Sequence, residues 1–238
     1  MSAIFNGTSS FIAPTSQQSV VGSTPTYPVL MGGWVKRTNN TNQQAFISVN
    51  DNAASAVDTL LLYHTAGSDT LNARSQQGGN GSSGTLAGLT TGSWQFVAAY
   101  FAAANSRQAV LGTTFGTAQT TTRNTVGLNS TFIGKFVDIQ TDYLNGRVAE
   151  MFVAQNFTAG NITTIVNALA GGARPVDVTE LSSSLVLYQP LLAGVDETDF
   201  VGPAITATNV TWDSADHPIE YMTFLAAWAR GSNVLIGT

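Results

Sequence analysis

Short runs of β-favouring residues, each bounded by glycine, asparagine, serine or threonine, recur through most of this 238-residue sequence. Runs of four to eight such residues, several alternating apolar and polar side chains, are typical of antiparallel strands. They do not fit alternating strands and helices. The sequence therefore predicts an all-β chain folded as an antiparallel β sandwich. The predicted strands cover 29–35, 45–49, 59–63, 94–101, 108–111, 130–134, 146–153 and 184–191.

One helix interrupts the strand pattern. After Thr158, a suitable N-cap residue, apolar residues follow at spacings i, i+3, i+4 and i+7, and the glycine pair at 171–172 ends the pattern. The stripe consists of Ile162, Ile165, Val166 and Leu169. By contrast, the segment 76–92 is rich in glycine, serine and threonine, which predicts a mobile connecting loop.

The surface is expected to be polar but nearly uncharged. Only 10% of the residues carry a charge, against roughly 25% in an average soluble domain. Low charge protects a domain poorly against self-association, so we expect a homo-oligomer. Nucleic acid is not an expected partner, because the formal net charge is −5 and the basic residues are scattered.

The chain contains no cysteine, so disulfides and thiolate metal sites are excluded. The N-terminal segment lacks the basic and apolar regions of a signal peptide. No stretch approaches the roughly 20 apolar residues of a membrane helix. We therefore expect neither a signal peptide nor a transmembrane segment.

Five segments, in this order along the chain, resemble the motifs of a laminin-G-like jelly roll of the concanavalin A-like type. They are WVK at 34–36, GSWQFVAA at 92–99, FIG at 132–134 with YLNGRVAE at 143–150, LVLYQPL at 185–191, and FVG at 200–202 followed by Trp212 and DHP at 216–218. The last group is similar to the end of virus-associated members, including virion proteins of tailed phages. The resemblance covers roughly residues 5–220. It implies a sandwich fold that binds carbohydrate or calcium at loop ends.

The chain departs from the family pattern at one point. The family places an aspartate after the strand corresponding to 94–101 and then an Asn-Gly turn, whereas this chain has AAANSR at 102–107. This departure weakens the transfer of a calcium or sugar site from the family to this chain.

No enzymatic activity is predicted. Glucanases of this fold use two carboxylates on one strand in the pattern Glu-x-Asp-x-x-Glu, and the sequence has no such string. A nucleophilic triad needs a histidine base, and the two histidines, His64 and His217, have no Gly-x-Ser-x-Gly nucleophile to serve.

Candidate ligand-binding residues are Trp212, Tyr143 and Asp142, since aromatic rings stack on sugar rings and carboxylates accept hydrogen bonds from hydroxyls. Trp94 is also a candidate for stacking, although its position predicts a core residue. No cofactor is expected, but calcium stays open because sandwich loops can supply the oxygen ligands it needs. The candidate metal ligands are Asp138, Asp196 and Asp199, with Asp142 and Asp213 as further oxygen donors.

Two regions are predicted. Residues 1–218 form the laminin-G-like sandwich, and residues 219–238 are either a last core element or a C-terminal arm that contacts another subunit or a capsid. The arm is favoured as an interface because it is apolar with few polar residues to mask it. The predicted interface residues are Tyr221, Met222, Phe224, Leu225 and Trp228.

These features lead to two functional hypotheses. The first is a non-enzymatic structural protein of a tailed-phage virion that decorates the capsid or tail surface and contacts itself and other virion proteins such as the major capsid protein. The second is a lectin-like module that recognises surface glycans, with or without calcium.

Overall fold

The structure is a computed structural model of the chain. It describes residues 2–16, 18–53, 57–137, 142–191, 200–213 and 215–218. Within these ranges the chain forms fifteen β-strands and two helices. The predicted interface residues in 219–238 lie outside the described residues, as do Asp138, Asp196 and Asp199.

The strands are mostly short and follow one another closely. In chain order they are β1 (Ser2–Asn6), β2 (Phe11–Pro14), β3 (Val29–Arg37), β4 (Gln44–Asn50), β5 (Thr59–His64), β6 (Thr70–Gln77), β7 (Asn80–Ala87), β8 (Gln95–Ala103), β9 (Ser106–Leu111), β10 (Thr114–Phe115), β11 (Ser130–Ile133), β12 (Asn145–Gln155), β13 (Leu185–Gln189), β14 (Ile205–Thr208) and β15 (Thr211–Asp213). The helices are α1 (Ile162–Ala170) and the four-residue α2 (Thr179–Ser182).

Two antiparallel sheets form the sandwich, which confirms the predicted fold class. The eight-stranded sheet has the order β10-β9-β8-β3-β12-β1-β15, and β13 pairs with β12. The seven-stranded sheet has the order β14-β2-β11-β4-β5-β6-β7. Every predicted strand is present. The described part of the chain contains no helix long and apolar enough to cross a membrane.

The main core lies between the two sheets. It is built from the inward faces of strands of both sheets, as the alternation of side chains along a strand requires. Its members include Val29, Met31, Phe46, Val49, Leu60, Leu62, Val97, Phe101, Ile133, Val148 and Met151, all at most 2% exposed. Burial of this apolar area stabilises a chain that has no cross-links.

A second apolar cluster covers the outer face of the eight-stranded sheet. The helix α1 contributes its predicted stripe there, and strands β3, β8 and β12 contribute the side chains below it. The cluster contains Leu30, Phe96, Tyr100, Phe152, Ile165, Val166 and Leu169. The prediction of this helix is therefore confirmed, with a short 3₁₀ turn (Ala159–Asn161) between Thr158 and α1.

The segment 76–92, predicted as a mobile loop, is instead mostly strand. Residues 80–87 form β7, which pairs with β6 over its whole length. Gly78 and Gly79 have positive φ angles of 55° and 82° and make the tight turn between the two strands. The prediction of a loop here was wrong.

The two sheets are tied together at one end by a buried arginine. Arg37 ends β3, and its guanidinium donates hydrogen bonds to the Leu89 carbonyl oxygen (2.5 Å) and to Asp69 Oδ1 (3.1 Å). Asp69 lies between β5 and β6 of the opposite sheet. Burial lowers the pKa of Arg37, while the hydrogen bond from Arg37 to Asp69 acts in the opposite direction. Arg37 therefore links the end of β3 to the other layer.

The other side of the sandwich is closed by a hairpin shared between the sheets. Strand β14 pairs with β2 in the seven-stranded sheet, and β15 pairs with β1 in the eight-stranded sheet. Two residues connect β14 to β15. The Ser10 hydroxyl donates a hydrogen bond to the Asn209 carbonyl oxygen (2.5 Å) and so fixes this connection to the β1–β2 turn.

Candidate functional site

A polar network lies on the outer face of the eight-stranded sheet, beside the helix-covered cluster. Its centre is Asp216, three residues after the end of β15. Lys36 Nζ lies 2.8 Å from Asp216 Oδ2, and Trp94 Nε1 donates a hydrogen bond to Asp216 Oδ1 at 2.6 Å. Arg147 also pairs with Asp216. We call Lys36, Trp94, Arg147, Asp213 and Asp216 the Asp216 network.

Strand register explains why these residues meet. Lys36 of β3 and Arg147 of β12 are direct cross-strand partners, so both side chains point outward from the same place. Arg147 Nη1 also lies 2.7 Å from Asp213 Oδ2, at the end of β15. Lys36 and Arg147 thus bind the carboxylates of Asp213 and Asp216, which belong to the chain segment at the edge of the sheet.

Both carboxyl groups are stabilised in their charged form. The pKa of Asp213 is lowered, chiefly by the hydrogen bond from the Ala215 backbone and also by the charge of Arg147. Burial acts to raise the pKa of Asp216, but hydrogen bonds from Lys36 and Trp94 and the charges of Lys36 and Arg147 outweigh it, and the pKa is lowered. Asp213 and Asp216 therefore stay ionised near neutral pH.

Trp212 lies next to this network but on the other side of β15. It pairs with Ala3, which belongs to the core between the sheets, so Trp212 lies on the inward face of β15 while Asp213 points outward. Because β15 is an edge strand, Trp212 lies at the edge of the sandwich, which we call the rim. Trp212 is 41% exposed; among the residues that the structure describes, the other exposed large hydrophobic residues are Val126 and Phe200. The ion pair between Asp213 and Arg147 fixes the strand that presents the indole.

Trp94 is not in the core, contrary to the expectation from its position before β8. It is only half-buried, and its indole nitrogen bonds to Asp216 as described above. An indole N–H needs a hydrogen-bond acceptor where water is excluded, and the Asp216 carboxylate is that acceptor for Trp94.

Asp142 and Tyr143 lie at the start of the chain segment that enters β12, and they contact the seven-stranded sheet. Gln43 Nε2 donates a hydrogen bond to Asp142 Oδ2 (2.8 Å), and burial raises the pKa of this carboxyl group. Tyr143 packs against the ammonium group of Lys135, which lies 5.7 Å from its ring centroid. The rings of Phe11 and Phe132 lie closer to Lys135, at 4.5 and 5.0 Å. The structure therefore places Asp142 and Tyr143 together, and Trp212 on the edge of the other sheet.

Glu150, which the sequence did not predict as a site residue, is a buried carboxylate near the Asp216 network. Glu150 occupies a bulge in β12 with φ of +55° and is 2% exposed. Tyr188 donates a hydrogen bond to Glu150 Oε2 (2.5 Å), and His217 Nε2 lies 3.5 Å from Glu150 Oε1. His217 is thus inserted against the sheet beside Asp216, and the buried Glu150 is closed to a large substrate.

Within the described ranges, no three His, Asp or Glu side chains are grouped so that they could hold a metal ion. Asp142 and Asp213, which the sequence offered as oxygen donors, are instead bonded to Gln43 and Arg147. The role of Asp138, Asp196 and Asp199 as calcium ligands stays a prediction.

No family model and no curated protein matches this chain. Solved structures do match it in fold. The heptameric SAP-like pentraxin from Limulus polyphemus has a TM-score of 0.53 and 12% identity, with 87% of this chain and 93% of the pentraxin covered. Domain 4 of an extracellular arabinanase from Geobacillus stearothermophilus, solved with arabinotriose, has a TM-score of 0.54 and 16% identity, with 71% and 76% covered.

A third match is the enzymatically active domain of tailspike protein 2 from bacteriophage CBA120. Its TM-score is 0.53 at 12% identity, and 76% of this chain aligns with 28% of the tailspike chain. This chain therefore spans little more than a quarter of that protein. Together the two-sheet topology and these likenesses define the class: the protein is a concanavalin A-like jelly-roll β sandwich, the fold that the sequence motifs predicted.

Proposed function

We propose that this protein is a non-enzymatic module that binds glycans at the rim of the sandwich, with Trp212 as the stacking platform. The observation that carries the proposal is that Trp212 is 41% exposed, next to Asp213, which an ion pair with Arg147 fixes in the same strand. A sugar ring offers an apolar face of C–H groups, which packs well on an aromatic ring.

The rigid setting of Trp212 supports this role. Ordering a mobile side chain or loop on binding costs free energy, so a platform held in place before binding gives higher affinity. Pairing of β15 with β1 and the Asp213–Arg147 ion pair hold the backbone of Trp212. The arabinanase domain of the same fold was solved with a bound oligosaccharide, which makes a sugar a reasonable ligand for this fold.

Replacing Trp212 by alanine should weaken glycan binding by a factor of about 10 or more, because loss of a buried aromatic contact costs on the order of 1.5 kcal/mol or more. A glycan array in calcium and in chelator identifies the ligand, and isothermal titration calorimetry then measures the affinity of both proteins. Phe200→Ala is the matched control, since Phe200 is similarly exposed at 48%. No saturable binding of any glycan by the wild-type protein would rule the proposal out. We expect no turnover of the bound polysaccharide.

We also propose, as a second role, that the protein is a structural component of a tailed-phage virion on the capsid or tail surface. Two observations favour this setting. The surface is low in charge, which suits packing within an assembly. A phage tailspike domain shares the fold. The expected partners are further copies of this chain and other virion proteins such as the major capsid protein, with 219–238 as the contact.

Removal of residues 219–238 should lower the oligomeric state, because an apolar segment that joins subunits is lost with them. Size-exclusion chromatography with light scattering of the full chain and of a chain ending at residue 218 measures this. A circular dichroism spectrum checks that the shortened chain is folded. If the full chain is strictly monomeric and the truncation changes nothing, the assembly role through this segment is wrong.

A further inference from the structure

A half-buried arginine on the outer face of the seven-stranded sheet has no hydrogen-bond or ion-pair partner within the described part of the chain. Arg74 lies in the middle of β6, between β5 and β7. Its Nε atom is shielded from solvent and makes no hydrogen bond. Among the described residues, none forms an ion pair with its guanidinium. Arginine is the residue best suited to paired hydrogen bonds with carboxylate or sulfate oxygens. An arginine in this state therefore has unused donors.

The position of this guanidinium is set by a glycine on the neighbouring strand. A Cβ atom added at Gly81 of β7 would lie 2.2 Å from Arg74 Nε and 2.3 Å from Arg74 Nη2. The guanidinium thus lies directly over the β7 backbone, in space that any side chain at position 81 would fill. Gly81 does not adopt a positive φ angle, so its lack of a side chain matters for space rather than for backbone conformation.

The surroundings of Arg74 are apolar on one side and polar on the other. Its cross-strand partner on β5 is Leu61, which belongs to a buried cluster with Tyr63 and Phe136. Its partner on β7 is Ser83, whose hydroxyl lies 3.5 Å from the Tyr63 hydroxyl. An ion pair formed beside buried apolar groups is screened less than one in open solvent.

The carboxyl group of Asp142 interacts with the charge of Arg74 but does not form an ion pair with it. Burial raises the pKa of Asp142, its hydrogen bond from Gln43 lowers it, and the charge of Arg74 lowers it further, so the two charges interact at a distance. Asp142 accepts its hydrogen bond from Gln43, not from Arg74. Asp142 therefore does not supply a close anion to the Arg74 guanidinium.

We propose that Arg74 is a second binding site, which takes an oxyanion of an acidic glycan, either a carboxylate or a sulfate ester. The anion would accept hydrogen bonds from the guanidinium over Gly81, with the Ser83 and Tyr63 hydroxyls beside it. The glycan part of this inference rests on the proposed function, whereas the anion part rests on Arg74 alone. The site is distinct from the Trp212 rim: β6 is five strands from the β14 edge, on the order of 24 Å across the sheet.

The direct test follows the Arg74 Nε–Hε resonance in two-dimensional ¹H–¹⁵N spectra during separate titrations with sodium glucuronate and sodium sulfate. Sodium chloride holds the ionic strength constant. We expect a saturable shift of this resonance, and at least a 10-fold weaker response of the neighbouring Ser83 amide in Arg74→Gln. Arg174→Gln is the control, because Arg174 already pairs with Asp177 at 2.7 Å.

A second variant tests the position of the Arg74 guanidinium over Gly81 without removing its charge. Gly81→Ala should displace the guanidinium and weaken anion binding several-fold, whereas Gly160→Ala, with no atom within 4 Å of its added Cβ, should bind normally. Thermal unfolding checks that both variants are folded. A response to glucuronate alone assigns a carboxylate, and one to sulfate alone assigns a sulfate ester. A linear response of the Ser83 amide that is identical in wild type and Arg74→Gln overturns the proposal.

The two sites can fail independently. If Trp212→Ala abolishes binding of a neutral glycan but leaves the glucuronate response intact, both proposals stand. If no glycan binds and the Arg74 resonance still responds to the two anions, the anion site stands and the glycan-binding function is wrong. If a glycan binds at Trp212 and the Arg74 resonance responds to neither anion, only the Arg74 inference is wrong.

Discussion

The Gly32→Ala variant should be destabilised by more than about 4 kcal/mol and should accumulate little folded protein. Gly32 lies in β3, at the centre of the eight-stranded sheet, where it pairs with Ala98 of β8 and Phe152 of β12. A Cβ atom added here would lie 2.1 Å from the Val97 carbonyl oxygen and 2.7 Å from the Ala98 Cα atom. Both are backbone atoms of a paired strand, so the clash can be relieved only by breaking the ladder.

Differential scanning calorimetry measures this effect if some folded protein is obtained. For a chain of this size, a loss of about 4 kcal/mol lowers the melting temperature by roughly 8 to 16 °C. Gly67→Ala is a useful contrast, because nothing lies within 4 Å of its added Cβ and its φ of +67° costs only local backbone strain. A Gly32→Ala protein that melts within a degree or two of wild type would show that the strands are spaced differently.

The stability of the protein should fall as the pH drops from about 6.5 to about 4, with His64 contributing about 3 kcal/mol of the loss. His64 ends β5 and is fully buried. Burial lowers its pKa from 6.5 to about 4, and the nearby positive charge of Arg37 acts in the same direction. The unfolded chain therefore binds a proton in this pH range that the folded chain does not, so protonation favours unfolding. Below about pH 4 both states are protonated and the histidine adds no further loss.

Urea unfolding of wild type and His64→Phe at pH 7, 5.5 and 4.5 measures the histidine contribution as a difference, since the carboxylates titrate in both proteins. Phenylalanine fills the site, because His64 already stacks on Phe46 with 6.1 Å between ring centroids. The variant loses the hydrogen bond to the Thr65 carbonyl oxygen (3.0 Å), which lowers stability equally at all three pH values. Equal pH slopes for the two proteins would contradict the prediction.

Eight of the fifteen strands that the structure describes could be predicted because their signal is local, whereas the role of the glycines at 78–84 could not. Gly78 and Gly79 form a turn, as the sequence suggests, but Gly81 makes room for Arg74 and Gly84 lies against β9. A Cβ at Gly84 would be 2.5 Å from the Arg107 carbonyl oxygen. Gly81 and Gly84 thus lack side chains because residues distant in sequence occupy the space beside them. Composition alone cannot separate this packing requirement from flexibility, so the segment was mistaken for a loop.

The same limit applies to the candidate sites. Trp94 precedes an apolar strand, and its sequence context predicts burial; its hydrogen-bond partner, Asp216, is 122 residues away. Trp212 was predicted from the sequence as a ligand-binding residue; it is exposed in the structure, and its binding role stays a prediction. Arg74 carries no local signal, because an arginine in a strand is ordinary. What distinguishes Arg74 is the lack of a hydrogen-bond or ion-pair partner among the residues that the structure describes, which appears only once the whole sheet is assembled.

The Asp216 network also determines how the sandwich would respond to mechanical force. β15 is a three-residue edge strand, which by itself would peel away easily under a pull applied at residue 218. Asp216 and Asp213 instead connect this end of the chain to Lys36 and Arg147, on two central strands. Tension would therefore pass to the middle of the eight-stranded sheet before it reached the edge. A tether attached beyond this point would be connected through these ion pairs to the central strands β3 and β12.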